Sequence, residues 1–491
     1  MSYTTISLAL AISLLCSPAQ FSQATPVNPL GNSPGPPNVV LILVDDLGWS
    51  DGAAFGSGYY DTPNVDRLVR EGVHCTTAYA ACAVCSPSRA SILTGRSPAR
   101  IGVTDWIHHH GPEAREDIAA GAFVGGFDRS RGRELLTPRS RSWLPEDEVT
   151  LAEHLGAEGY ATAHVGKWHL GPKGHYPENQ GFDHNLGGFE VGQPPGWFDP
   201  FEGGGFDGIV GLPTREEGQY LTEREADEAV VFIEDNSEVP FFLYLAQYAV
   251  HAPIVGPPDL VEKYKNKQPT NHRVPAYGAM VEASDRAVGR VLDSLDRLGL
   301  ADNTLVIYTS DNGGATHFPA TDNAPLRLGK GFPYEGGLRV PFVARFPGRL
   351  PAGQTIDQAV IGTDVFATIC AATGIDPPQG RSMDGINIMP LLTGRGLMEK
   401  REHLVWHFPH YWWGTNVRPY SVLRAGDWKL IQRYDGSAPE LFNLQLDPSE
   451  SSNEAEVQPE RVARMSELLF GELGRMGARF PRPDPNYKPK R

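Results

Sequence analysis

Short apolar segments alternate with segments of helical periodicity along most of the chain. Four apolar segments have the length and the β-branched or aromatic content of buried strands, and they cover residues 39–44, 161–165, 241–245 and 305–309. Helical spacing is predicted between them at residues 62–71, 150–158, 223–235 and 279–298. This alternation predicts an α/β fold in which helices lie on both faces of a large, mostly parallel sheet.

The pattern changes beyond Gly394. Short strand-like segments and one closing helix are predicted there, at residues 403–410, 421–425, 429–433 and 457–473. We therefore expect a smaller C-terminal α+β domain that carries an antiparallel sheet. Two Gly-rich segments of the large domain, at 108–141 and 187–218, are expected to be long surface loops.

Composition and the N-terminal segment limit the classes of function. The 491 residues include 43 basic and 59 acidic ones, and the net charge of −16 argues against a nucleic-acid partner. The apolar run at 6–16 is too short to span a bilayer, and Ser22 and Ala24 suit a cleavage site after Ala24. We expect an exported protein, periplasmic or secreted, without a transmembrane segment. Its predicted parts are a signal peptide at 1–24, a large domain at 25–394 and a C-terminal subdomain at 395–491.

Polar side chains follow each of the four predicted strands. In chain order they are Asp45 and Asp46, Lys167 and His169, His251, and Asp311 and Asn312. Because ligands gather beyond the carboxyl ends of parallel strands, we expect these side chains to share one site. Carboxylate and amide oxygens suit a hard divalent cation, Ca²⁺ or Mg²⁺, better than Zn²⁺. One such acidic pair is commonly only a turn or a helix cap, but two pairs at separate strand ends favour a metal site.

The cysteines point to a specific motif. Cys75, Cys82, Cys85 and Cys370 remain after the predicted signal peptide, too few for a disulfide scaffold. Cys82 and Cys85 form a C-x-x-C pair, but no second pair completes a zinc site and no thioredoxin-like context surrounds it. The segment from Cys85 to Gly95, CSPSRASILTG, matches the sulfatase maturation pattern C-x-P-S-R-x-x-x-L-T-G at every fixed position.

On these residues the chain resembles the type I sulfatases of the alkaline-phosphatase-like superfamily, from about residue 38 to residue 392 and more weakly beyond. The resemblance implies that Cys85 is oxidised to Cα-formylglycine by a formylglycine-generating or anaerobic sulfatase-maturating enzyme. The resemblance also implies that residues 25–394 form the catalytic domain. The implied ligands of the metal, usually Ca²⁺, are Asp45, Asp46, Asp311, Asn312 and the modified Cys85.

The resemblance also implies roles for the basic residues. Arg89 is expected to hold the formylglycine, and Lys167 and His169 match the K-x-H pair of the family. His251, in a His-Ala-Pro sequence, matches its second histidine, and Lys330, between Gly329 and Gly331, matches its second lysine. Lys167, His251 and Lys330 are expected to contact the substrate as well, and Arg327 is expected to line the pocket and reach the substrate.

Chemical reasoning supports this distribution of residues. A sulfate monoester develops negative charge on its departing oxygen, which a metal, Arg and Lys stabilise and a histidine protonates. We expect His251 and Lys330 to serve the leaving group. One hydroxyl of hydrated formylglycine would attack sulfur, and His169 would deprotonate the other so that sulfate is released.

The expected export and the resemblance also bear on the substrate. Export and the resemblance favour a sulfated polysaccharide or oligosaccharide. One expectation is that the aromatic segment 407–413 and the histidines at 108–110 flank the pocket, where aromatic rings would stack on sugars. The alternative for the aromatic segment is packing between the two domains. The alternatives are a phosphonate or phosphate ester hydrolase of the same superfamily and a catalytically silent carbohydrate-binding protein.

Overall fold

The computed structural model describes residues 35–107, 126–318, 320–397, 401–412 and 415–488, together with Met1 and Glu399. Residues Ser33–Arg491 form one compact unit. Three features that the sequence analysis noted lie outside the described residues. They are the predicted signal peptide beyond Met1, the histidines at 108–110, and Trp413. Among the helices that are described, none is both long enough and apolar enough to cross a bilayer.

The main sheet has eight strands in the described part of the chain. In spatial order they are β11 (Gln354–Ile356), β2 (Val73–Cys75), β10 (Phe342–Arg345), β9 (Thr304–Ser310), β1 (Asn38–Val44), β8 (Phe241–Gln247), β6 (Ala161–Gly166) and β7 (His184–Leu186). All neighbouring pairs are parallel except those of β10, which is antiparallel to both neighbours. The predicted large, mostly parallel sheet is confirmed.

Helices cover both faces of this sheet. The described helices are α1 (Pro63–Glu71), α2 (Cys85–Thr94), α3 (Pro98–Ile101), α4 (Leu151–Gly156), α5 (Leu221–Asp235), α6 (Pro258–Lys265), α7 (Pro275–Arg297), α8 (Glu335–Leu338), α9 (Asp364–Thr373), α10 (Met389–Thr393) and α11 (Pro459–Met476). Short 3₁₀ turns occur at Ala53–Phe55, Pro177–Gln180 and Ala301–Asn303.

The central position of β1 in the sheet explains why residues 39–44 are all apolar. Val40, Ile42 and Val44 belong to a core cluster shared with α1, α5, α6 and α7, whereas Val39, Leu41 and Leu43 belong to a second cluster shared with α2, α4 and α9. Successive side chains of a strand point to opposite faces, so a strand covered on both sides is apolar at every position.

Smaller sheets complete the fold. Four antiparallel strands, β13 (Leu404–Phe408), β14 (Tyr420–Ala425), β15 (Trp428–Arg433) and β16 (Glu440–Asn443), pack with α11 and confirm the predicted C-terminal sheet. β3 (Ala78–Tyr79) pairs with β12 (Val360–Ile361). The boundary near residue 394 stays a prediction.

The expectation of one long loop at 108–141 was wrong in its second half. β4 (Phe127–Arg129) and β5 (Leu135–Pro138) lie there and form a three-stranded sheet with β17 (Arg482–Pro483). These strands are two to four residues long, and β5 pairs with a strand more than 300 residues away. Local periodicity cannot reveal such a pairing.

A buried ion cluster joins the C-terminal sheet to the rest of the protein. The ammonium of Lys429, on β15, lies 3.0 Å from Glu335 Oε1 and 2.8 Å from Glu450 Oε1, and each of the three side chains is at most 1% exposed. The backbone N–H of Glu335 also donates to Glu450 Oε2 at 2.6 Å. Glu335 begins α8, five residues after Lys330, so this cluster fixes one end of the segment that carries Lys330.

We predict that Lys429→Met lowers the free energy of unfolding by about 3–5 kcal/mol, because the ammonium between two buried carboxylates is lost and Glu335 keeps only Arg339 at 3.8 Å as an ion-pair partner among the described residues. Urea denaturation of the purified protein measures the change. Arg464→Met is the matched control, since Arg464 is exposed and lies 3.8 Å from the exposed Glu460, and we expect less than about 1 kcal/mol there. Equal, small losses for both variants would contradict a structural role for the cluster.

Candidate active site

The polar residues at the strand ends converge around the buried guanidinium of Arg89. Its Nε donates to Asp311 Oδ2 at 2.9 Å, and its Nη2 lies 3.3 Å from Asp45 Oδ1. Its Nη1 donates to the carbonyl of Lys167 at 2.8 Å. Arg89 therefore connects the segments that follow β1, β6 and β9, and it is completely buried.

Cys85, the first residue of α2, faces this cluster. Its Sγ lies 3.7 Å from Asp45 Oδ1, 4.0 Å from Asp46 Oδ1 and 3.2 Å from the ammonium of Lys330. Burial raises the pKa of the thiol to about 12, although the charges of Lys167 and Lys330 oppose this shift. The unmodified side chain is consequently a neutral thiol at neutral pH and not an activated thiolate.

The two adjacent carboxylates have different surroundings. Asp46 Oδ1 accepts from Lys330 Nζ at 2.5 Å and from Asn312 Nδ2 at 2.8 Å, and its Oδ2 lies 3.6 Å from His251 Nε2. Burial alone would raise the pKa of Asp46, but the charge and the hydrogen bond of Lys330 hold it below the usual range. Asp45 accepts from Lys167 Nζ at 2.6 Å, yet burial dominates and raises its pKa to about 8.

These residues can hold a divalent cation. Ligand atoms of Asp45, Cys85 and Asp311 lie within 4.8 Å of one another, as do those of Asp46, Cys85 and His251. Asn312 Oδ1 is buried and accepts no hydrogen bond from the residues that the structure describes. Carboxylate oxygens and an unbonded amide oxygen are the donors that Ca²⁺ and Mg²⁺ prefer.

The hydrogen bonds of the two histidines indicate their tautomers. His169 Nε2 lies 2.8 Å from the carbonyl of Ile107, and His251 Nδ1 lies 2.6 Å from the carbonyl of Ala252. We assign the N–H to these nitrogens because a carbonyl can only accept, which leaves His169 Nδ1 and His251 Nε2 as acceptors. Burial, reinforced by neighbouring lysines, lowers both pKa values, that of His251 to about 3. Both rings are neutral in this arrangement.

Arg327 is not part of the cluster around Cys85. Its Nη1 donates to the carbonyl of Glu450 at 2.9 Å, and its guanidinium lies 3.9 Å from the centroid of the Tyr334 ring. It lines a separate cavity of about 310 Å³ together with Arg418 and Arg433. Its contact with substrate stays a prediction that this geometry does not support.

Asn323 is a positioning residue, whereas the sequence suggested only that residues 323–327, just before Lys330, form part of the pocket wall. Its Nδ2 lies 3.1 Å from the carbonyl of Gly314, 2.9 Å from that of Leu328 and 3.1 Å from that of Gly336. The side chain thus joins the segment after Asp311 to the segment that carries Lys330. A lone Asn in a loop gives no sequence signal for this role.

Trp412, in the aromatic segment that the sequence analysis noted, packs against the segment that carries Lys330. Trp412 is only 8% exposed, its ring lies against Gly331, and it meets the His317 ring edge-on at a centroid distance of 4.8 Å. A Cβ at Gly331 would lie 2.1 Å from the indole, so glycine is required beside Lys330. Trp412 thus packs between the C-terminal region and the segment that carries Lys330, and it also lines a cavity beside that segment.

Comparisons with known proteins agree with this site. The family model "Sulfatase" matches residues 37–375, and the model "N-sulphoglucosamine sulphohydrolase, C-terminal" matches residues 328–473. The chain is 34% identical to the human N-acetylgalactosamine-6-sulfatase, over 89% of this chain and 85% of that protein. It is 32% identical to a sulfatase of Formosa agariphila, over 85% of this chain and 84% of that protein.

Solved structures with a similar fold agree with the sequence comparisons. The crystal structure of Ps i-CgsB has a TM-score of 0.74 and 28% identity, and the match covers 91% of this chain and 95% of that one. The PsFucS1 sulfatase from Pseudoalteromonas sp. has a TM-score of 0.68 and 26% identity, and the match covers 90% of both chains. The family model spans more than half of the chain, and the human relative is more than 30% identical over most of its length. The chain therefore belongs to the sulfatase family and is a sulfuric ester hydrolase.

Proposed function

We propose that this sulfatase hydrolyses sulfate monoesters of sulfated sugars, with a formylglycine made from Cys85 and a bound divalent cation, preferably Ca²⁺. The observation that carries the proposal is the position of Cys85. It begins a helix and lies within 4.0 Å of two carboxylates and a lysine ammonium, at the edge where the strands end. The neutral, buried thiol itself is a poor nucleophile, which favours its conversion to another group.

Relatives support a sugar as the substrate. One curated relative is named an N-acetylgalactosamine-6-sulfatase, and a neighbour with 28% identity was crystallised with k-i-k-neocarrahexaose. We also propose that the chain is exported, on the evidence of its apolar N-terminal segment, and that a formylglycine-generating or anaerobic sulfatase-maturating enzyme modifies Cys85.

The cation would be held by Asp45, Asp46, Asp311 and Asn312 together with the modified Cys85. When bound, it would polarise the sulfate oxygens as a Lewis acid, and the hydrated formylglycine would supply the attacking hydroxyl and a second hydroxyl for release. Arg89 neutralises part of the carboxylate charge, since it contacts both Asp45 and Asp311. Without it, three buried carboxylates would repel one another and take up protons.

The remaining residues bind the sulfate group and move protons. Lys167 and Lys330, whose ammonium groups lie at Asp45 and Asp46, provide positive charge for the sulfate oxygens and for the developing negative charge of the leaving group. An anionic ester against His251 favours its protonated form, which then gives a proton to the leaving oxygen. His169 keeps an unprotonated Nδ1, as a general base requires.

Modification of Cys85 is directly measurable. In protein produced with a formylglycine-generating enzyme, we predict that the tryptic peptide containing residue 85 is about 18 Da lighter than the cysteine form, from the change in elemental composition. Cys85→Ala, expressed in the same way, provides the control for both peptide assignment and loss of turnover. Full aryl sulfate turnover by protein that retains an unmodified thiol would contradict the proposal.

Removal of one metal ligand tests the cation site. Ca²⁺ at 100 times its Kd should stabilise the wild-type protein by about 2.7 kcal/mol, because it binds only the folded state. We predict that Asp311→Asn loses this stabilisation and most of its activity. Thermal unfolding with and without EGTA measures the effect, with the exposed Asp302→Asn as matched control. Stabilisation by Ca²⁺ that is the same in Asp311→Asn and wild type would rule out this site.

The leaving-group role of His251 predicts a dependence on the substrate. We expect His251→Gln to lower kcat on a sugar sulfate by about 10²–10⁴-fold, since an alkoxide must be protonated to depart. The loss on p-nitrophenyl sulfate should be much smaller because nitrophenolate leaves without a proton. Steady-state kinetics of both substrates decide the matter, with His403→Gln in the C-terminal region as control. A uniform loss on both substrates would show that His251 does not act as the acid.

A further inference from the structure

A cavity of about 420 Å³ adjoins the catalytic cluster, and its lining includes Trp106, Ile107, Arg133, Tyr411 and Trp412. Its volume is in the range of small-molecule sites, about 300–1,000 Å³. Two contacts connect it to the catalytic residues. The carbonyl of Ile107 accepts the hydrogen bond of His169, and Trp412 packs on Gly331, next to Lys330.

Arg133 brings an unmatched positive charge to this cavity. Its guanidinium lies 4.8 Å from the centroid of the Tyr411 ring, a cation–π arrangement that fixes its position. Among the described residues, no carboxylate forms an ion pair with it. Two charged residues near Arg133 in the sequence form ion pairs with other residues. Arg129 pairs with Asp484 at 2.8 Å, and Glu134 pairs with Arg418 at 3.4 Å.

The acidic groups of the cavity do not cancel this charge. Asp128 is paired with Arg139 at 3.0 Å. Asp105 is buried, and burial raises its pKa to about 7, although a hydrogen bond from the backbone of Trp106 opposes the shift. The chain as a whole carries −16, so an anionic glycan needs local positive charge to approach the site.

We propose that this cavity binds the saccharide next to the reacting sulfate ester, and that Arg133 holds a second anionic group, a sulfate or a carboxylate, on that saccharide. The inference rests on the proposed function and deepens it, because it makes a multiply anionic glycan the preferred substrate. A guanidinium suits this role, since its planar N–H groups bind an oxyanion while its face stays on the Tyr411 ring.

Competition against p-nitrophenyl sulfate hydrolysis tests the inference. The competitors are N-acetylgalactosamine 6-sulfate, its 4,6-disulfate, and the disaccharide of a hexuronate with N-acetylgalactosamine 6-sulfate. We expect Arg133→Gln to raise the inhibition constant of at least one doubly anionic compound about tenfold or more, the size of a lost charge-assisted hydrogen bond. The compound that is affected identifies the group as sulfate or carboxylate, and Arg133→Lys should restore part of the affinity.

Two controls keep the outcomes separate. The inhibition constant of N-acetylgalactosamine 6-sulfate and the kcat/KM for p-nitrophenyl sulfate should be unchanged in Arg133→Gln. Arg131→Gln, an exposed position of the same segment, should match the wild type throughout. Equal weakening of singly and doubly anionic compounds, no weakening of either, or no inhibition of the wild type by any of the three would overturn the inference. Failure of the mature wild type to release sulfate from both p-nitrophenyl sulfate and the three sugar sulfates would instead contradict the proposed function, and this inference with it.

Discussion

Three carboxyl groups buried within a few ångströms of one another can all stay ionised only when cations balance their charge, and this constraint organises the site. Arg89, Lys167 and Lys330 supply the positive charge that the protein itself provides, each through contacts with Asp45, Asp46 or Asp311. The same positive groups are available to a sulfate ester. A site that must attract a hard cation and an anionic substrate at once needs both kinds of charge in close contact.

The architecture supplies this arrangement from distant parts of the chain. Parallel strands end at one edge of the sheet, so the residues that follow β1, β6 and β9 meet there. Lys330 lies on no strand and needs other support. Asn323 joins its segment to the segment after Asp311, while the buried Lys429–Glu335 pair fastens the same region to the C-terminal sheet. The C-terminal sheet therefore contributes to the position of a catalytic lysine.

Much of this could be predicted from the sequence because the signals are local. The apolar run of β1 reflects burial on both faces, and the motif that begins at Cys85 is specific enough to indicate the chemistry. Features that depend on distant pairing could not be predicted. Asn323 forms its bonds with backbone carbonyls, which leave no trace in residue identity. Arg327 lies close in sequence to Lys330, yet its stacking on Tyr334 turns it towards the C-terminal sheet.

The proposed reaction depends most on Cys85 being the precursor of the reacting group. The most direct measurement varies the amount of co-expressed formylglycine-generating enzyme and determines, for each preparation, the fraction of residue 85 converted and the rate of p-nitrophenyl sulfate hydrolysis. The account predicts that the rate is proportional to the converted fraction and extrapolates to zero without conversion. A rate that is independent of the converted fraction would contradict it.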